Sequence, residues 1–163
     1  MKHFVTLSEF RESVLTANGP LLGIDWGSKK IGLSISDATR AFIFPLGVIK
    51  NANLHLAVEK LVKILRERKA VGIVIGNPIN LDGEEGASDE AVQKFAETLL
   101  QASGLPILFQ DERFTTRLVH VSRHHINDKR RTKDDDSASA CYILQTALAM
   151  LNDGYQLGDE KLI

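Results

Sequence analysis

Residues 21–37 read LLGIDWGSKKIGLSISD, and the fold turns on how they are taken. The run begins apolar and ends its first arm on an acid, Asp25. Beyond WGSKK, Ile31, Leu33 and Ile35 alternate with Gly32, Ser34 and Ser36, the period of two that marks a strand. Two strands are therefore predicted to form a hairpin, with Asp25 at the carboxyl end of the first. A carboxylate there finds no partner within a sheet, and leaving it charged and buried is costly. Its charge is expected to be balanced from outside the fold, by a metal ion or in the company of a phosphate.

Working outward, AFIFPLGVI (41–49) predicts a third strand, with Pro45 placing it at an edge or a bulge. Leu54, Ala57, Val58, Leu61, Val62 and Leu65 then recur at three and four, an amphipathic helix. AVGIVIG (70–76) is continuously apolar, as in strands buried on both faces, and runs into the turn-rich NPINLDGEEG. Ala91, Val92, Phe95, Ala96, Leu99 and Leu100 predict another helix, ended by Gly104 and Pro106. ILFQDE (107–112) is a fifth strand, and a last helix covers Lys133 to Asn152. Ahead of the hairpin, Leu7, Phe10, Val14 and Leu15 fall at helical spacing before Asn18-Gly19-Pro20 stops them. The order is three strands, helix, strand, helix, strand, helices. It predicts an α/β fold with a mixed five-stranded sheet and helices on both faces, the ribonuclease H-like layout. Residues 1–19 are expected to be a helical extension, 20–155 the main domain and 156–163 a short tail.

Composition narrows the class. With 163 residues, 44% hydrophobic and 25% charged, the chain suits one globular domain. One cysteine, Cys141, excludes an internal disulfide framework or a cysteine-cluster zinc site and fits a reducing compartment. No stretch has the roughly 20 apolar residues of a membrane span, and the start MKHFVTLSEFRES lacks the apolar core of a leader. A soluble, cytoplasmic protein is expected. The net charge of -1 means that any nucleic-acid surface must be local.

The segment TKDDDSASACYILQTALAML (132–151) sets three adjacent aspartates against one role. At 100° per residue Ala140, Ile143, Leu144, Ala147 and Leu151 share a stripe, and Asp136 stands one turn before Ala140 at its edge. Asp134 and Asp135 point away from it; Thr132 with Asp135 resembles a capping box, and both acids suit a helix start. Asp136, Asp25 and Glu112, at the start of a packed helix and the carboxyl ends of two strands, can converge on one point. Such an oxygen-rich site suits Mg²⁺ or Mn²⁺. Two such ions about 4 Å apart can activate a water and stabilise the leaving oxygen of a phosphodiester. The bland alternative pairs Glu112 with Arg113 or Arg117 and makes Asp25 a cap for the lysine turn.

Taken together, these motifs resemble the YqgF/RuvX family of nucleases from about Leu21 to Leu151. GIDWGSKKIGLSISD is similar to that family's opening signature, IVIGNPINLDGEEG to its strand and loop, DERFTT to its acidic strand end and DDDSASACYILQ to its final helix. The resemblance implies that the catalytic and metal-binding acids are Asp25, Glu112 and Asp136. It also implies a metal-dependent nuclease that matures the 5′ end of precursor 16S rRNA, or one that cleaves Holliday junctions. The absence of an obvious dimerisation stripe favours the RNA and a monomer or weak homodimer.

Around these acids the chain is basic. Arg113, Arg117, Arg123, Lys129, Arg130, Arg131 and Lys133 gather in one segment, and Lys29 and Lys30 follow Asp25. They are candidate contacts to nucleic-acid phosphates, precursor rRNA or branched DNA, or else a solvated surface. His120 and His124 form a helical pair without the glutamate of a zinc protease. Cys141 reads as packing rather than as a nucleophile, and Trp26 as either a base-stacking residue or the filling of its turn. Two other classes compete: a phosphotransferase of the actin and sugar-kinase type, for which the chain has room for one of two lobes, and a non-catalytic nucleic-acid-binding domain.

Overall fold

The computed structural model describes residues 4–77, 87–111 and 137–152. Strand β1 (Leu21–Trp26) pairs antiparallel with β2 (Lys30–Ser36), and β2 with β3 (Ile43–Lys50), so the hairpin and third strand form as the alternation predicts. On its other side β1 pairs parallel with β4 (Gly72–Asn77), which pairs parallel with β5 (Ile107–Asp111). The sheet order is β3-β2-β1-β4-β5. A chain that returns to a parallel neighbour needs a crossover, and helices α2 (Leu54–Arg68) and α3 (Ala87–Ser103) provide them. Helices α1 (Leu7–Thr16) and α4 (Ala138–Asn152) complete the described elements.

Alternation along the strands makes two cores. Leu22, Ile24, Leu33, Ile73 and Ile75 face α2 and α3, where Leu61, Phe95 and Leu99 meet them fully buried. On the opposite face Leu21, Val74 and Leu108 meet Phe10 and Val14 of α1 and Leu144, Ala147 and Leu148 of α4. Ten of the fifteen residues of α4 are buried, Cys141 among them, which gives that thiol a packing role.

Helix α1 is set by a capping box: Thr6 Oγ1 accepts from Glu9 N–H (3.3 Å), and Glu9 Oε2 accepts from Thr6 N–H (2.8 Å). Its buried residues are Phe10 and Val14. Leu15, predicted to share their face, is 61% exposed because it stands 100° on from Val14. Just before α1, Val5 N–H donates to Ile107 O (3.3 Å) and Phe4 bridges in parallel to Ile107, so the chain start lies along the outer edge of β5. The sequence carries no periodic signal for that bridge.

Pro45 lies on the edge strand β3, where an absent N–H is tolerated. The register shifts beside it, and Gly47 takes up the irregularity at φ +90°, a conformation that excludes most side chains.

Candidate active site

The site begins with a single row of residues across the face that α4 covers. Gly23 of β1 pairs with Ser34 and Val74; two residues on, Asp25 pairs with Gly32. The parallel register then brings Gly76, which follows Ile75, beside Asp25, and Gly76 pairs with Gln110. Alternation by two keeps Gly32, Asp25, Gly76 and Gln110 on the α4 face. Both flanking strands therefore offer glycine beside the Asp25 carboxylate.

The row below explains how α4 comes so close. A Cβ on Gly23 would lie 2.9 Å from Ala140 O and 2.9 Å from Leu144 Cβ, and closer still to Ser34 Oγ. Ser34 Oγ donates to Ala140 O at 2.7 Å, tying the buried strand to the first turn of the helix. The glycine lets helix and sheet touch, and the serine fixes where they do.

Asp25 is half-buried, and among the described residues no hydrogen bond or ion pair holds its carboxylate. Burial accordingly pushes its pKa above the ordinary 3.8. An acid held in this way is a poor structural element and a good ligand. Its hard oxygens suit a divalent cation of the Mg²⁺ type, which takes few protein ligands and restores the charge balance. The alternative of Asp25 capping the lysine turn does not hold, because the turn is secured otherwise: Asn51 Nδ2 donates to Gly27 O (2.7 Å) and Asn51 N–H to Lys29 O (2.8 Å). Asn51 was not singled out from sequence. Nothing in its position between a strand and a helix signals contact with a turn 24 residues back along the chain.

Lys29 and Lys30 are exposed at the Asp25 end of the hairpin. Trp26 alternates to the opposite face, where it packs on the α2–α3 core with its ring 6.5 Å from Phe95. That favours packing over base stacking. The other expected site residues, Glu112, Asp136, Arg113, Arg117, Arg123, Lys129, Arg130, Arg131 and Lys133, lie outside the described residues, as do His120 and His124. In the chain Glu112 directly follows β5, and Asp136 precedes the buried Ser137 that leads into α4.

A mixed five-stranded sheet with helices on both faces, and an acid near the end of its first strand, defines a ribonuclease H-like protein. The solved structures carry the same architecture: Thermus thermophilus RuvC in complex with a Holliday junction superposes with a TM-score of 0.61 at 14% identity, over 81% of this chain and 94% of that one. The family model described as RuvX, Holliday junction resolvase, matches residues 19–150. Curated relatives named "Putative pre-16S rRNA nuclease" include one from Rickettsia bellii, 40% identical over 148 residues (90% of this chain, 96% of that protein). Another, from Phenylobacterium zucineum, is 39% identical over 145 residues (86% and 93%). The chain belongs to the RuvX (YqgF) family.

Proposed function

We propose that this protein is a divalent-metal-dependent nuclease that hydrolyses phosphodiester bonds in the 5′-end processing of precursor 16S rRNA. The observation that carries the reading is the half-buried Asp25 carboxylate without a protein partner among the described residues, on the face covered by α4. Membership of the RuvX family and the names of the curated relatives support the substrate. They also weigh against the phosphotransferase and non-catalytic alternatives.

In this reading Asp25, Glu112 and Asp136 hold Mg²⁺ or Mn²⁺. When bound, the ions supply an activated water and charge neutralisation for the leaving oxygen. The chain's own part is positional. β1 fixes Asp25, Gly32 and Gly76 leave room beside it, and the Gly23–Ala140 contact fixes the helix that follows Asp136. Lys29, Lys30, Arg113, Arg117, Arg123, Lys129, Arg130, Arg131 and Lys133 seat the phosphate backbone without reading bases. Residues 20–155 carry this chemistry, with 1–19 as an extension and 156–163 as a tail, in a cytoplasmic monomer or weak homodimer. No described helix is long and apolar enough to cross a membrane.

The test is cleavage of precursor 16S rRNA and of a four-way DNA junction side by side, with Mg²⁺, Mn²⁺ or chelator. Metal-dependent cutting of the RNA, lost in Asp25→Asn, is expected. Preferential cutting of the junction would move the protein to the resolvase reading carried by its family description.

A further inference from the structure

The turn of the β1–β2 hairpin, Gly27-Ser28-Lys29, is held from outside the hairpin. Asn51, which follows β3, donates its side-chain Nδ2 to Gly27 O (2.7 Å) and its backbone N–H to Lys29 O (2.8 Å). The two bonds straddle Ser28, so both arms of the turn are fixed to one residue. That residue is itself anchored on both sides. Before it, Ile49 and Lys50 lie in the β2–β3 ladder; after it, Asn53 caps α2, its side chain accepting from His55 N–H (3.0 Å) and Leu56 N–H (3.2 Å). Gly27 keeps the turn tight, because a Cβ there would lie 2.5 Å from Lys30 O. A polar surface turn is ordinarily among the more mobile parts of a fold, with its carbonyls left to water. Ser28 and Lys29 are exposed, yet their backbone is secured to the junction of a strand and a helix. The turn begins two residues after Asp25, at the same end of the sheet.

We infer that Asn51 is a positioning residue for substrate binding: by clamping the hairpin turn it presents Lys29 to the nucleic-acid backbone beside Asp25. The inference rests on the reading of Lys29 as a phosphate contact. A lysine on an unheld turn would carry the same charge, but the turn would have to be ordered on binding, which weakens affinity. The clamp orders it beforehand. Asn51 touches neither substrate nor metal and acts through Lys29. A support built on a strand end and a capped helix start sets the turn more precisely than another loop would. The side-chain amide is the part that matters, since the backbone bond to Lys29 O is open to any residue but proline, whereas the bond to Gly27 O needs a donor of this reach.

The test is a double-mutant cycle read by binding rather than cleavage. Affinity for a labelled single-stranded RNA is measured in chelator over a range of salt for the full-length wild type, Asn51→Leu, Lys29→Ala and the two combined. Each protein is checked by circular dichroism to be folded at the assay temperature. Leucine keeps about the volume of asparagine and removes the donor; Asn51→Ala, which adds no bulk, is carried alongside. Lys29→Ala is expected to lower the log–log salt slope by about 0.7, one phosphate contact on a single strand. Asn51→Leu is expected to weaken binding about two- to tenfold, the factor set by ordering one long side chain and its turn on binding. In the Lys29→Ala background it should weaken binding no further, because the clamp then holds nothing that meets the substrate. A purely structural role for Asn51 would give losses that add across the cycle, or no loss. Either result overturns the inference, as does an unchanged salt slope in Lys29→Ala. With metal and RNA, Asn51→Leu should raise KM and leave kcat near that of wild type. If the binding losses are coupled as expected but wild type fails to cleave with metal, the positioning role stands and the nuclease reading falls.

Discussion

Replacing Asp25 with asparagine separates the cost of the site to the fold from its use. The side chain keeps nearly its shape and loses its charge. Both side chains leave polar atoms unsatisfied there, and only the carboxylate also carries the cost of burying a charge; the solvent that half-buried Asp25 retains holds that difference to about 1 kcal/mol. For a chain of this length 1 kcal/mol corresponds to about 2–4 °C in melting temperature. In chelator at neutral pH, Asp25→Asn should therefore melt about 3 °C above wild type. The sign of the pH dependence follows from the raised pKa. Because the folded state holds the proton more tightly than the unfolded state, with its ordinary value of 3.8, the penalty is full above the folded pKa. It disappears as pH falls through the window between the two values. The advantage of the variant should shrink over that window.

Divalent metal should reverse the order. A ligand at 100 times its dissociation constant stabilises the folded state by about 2.7 kcal/mol, which is about 5–10 °C here. Wild type should gain that with Mn²⁺, and Asp25→Asn little of it. The assay is thermal unfolding in chelator and across a Mn²⁺ titration, with cleavage measured on the same preparations. If Asp25→Asn melts lower than wild type in chelator, the carboxylate is structural. If both proteins gain equally from Mn²⁺, the metal binds elsewhere.

Three further outcomes follow from the same frame. Gly23→Ala should destabilise by about 1–3 kcal/mol through overpacking against Ala140 and Leu144, read in denaturant unfolding, and should lose cleavage even where the protein is still fully folded. Asp136→Asn should abolish cleavage while keeping the fold, whereas Asp134→Asn should cut near normally; equal loss in both would break the assignment of Asp136. Arg130→Ala with Arg131→Ala should weaken RNA binding across sequences and flatten its salt slope while leaving turnover at saturating substrate little changed, as filter binding and single-turnover rates would show.

The fold was largely legible because its signals are local. The period-two alternation of residues 31–36, the three-and-four repeat of 54–65 and the apolar run before Asn77 each name one element, and their order fixes the sheet. What could not be read from the sequence depends on register or on distant contacts: the Phe4 bridge to β5, the Asn51 clamp on the hairpin turn, the exposure of Leu15. Asp25 was legible as a candidate because a strand-end acid is anomalous in one dimension. Its two glycine neighbours become visible only once three strands are aligned, since Gly32 and Gly76 lie 7 and 51 residues away along the chain.

That alignment also bears on where the precision of the site resides. Gly32 and Gly76 give up side chains beside the acid, and Gly23 gives one up so that α4 can touch the sheet. A side chain at Gly23 would force the helix outward, so the sequence gives up core volume there for spacing. The traded quantity is the height of α4 above β1, and the Ser34–Ala140 hydrogen bond, one turn after Asp136 in the chain, pins it. A catalytic acid led in by that helix is then placed by a contact between two regular elements rather than by a loop. Substitutions at Gly23 or Ser34 should for this reason reduce activity by more than their cost in stability accounts for.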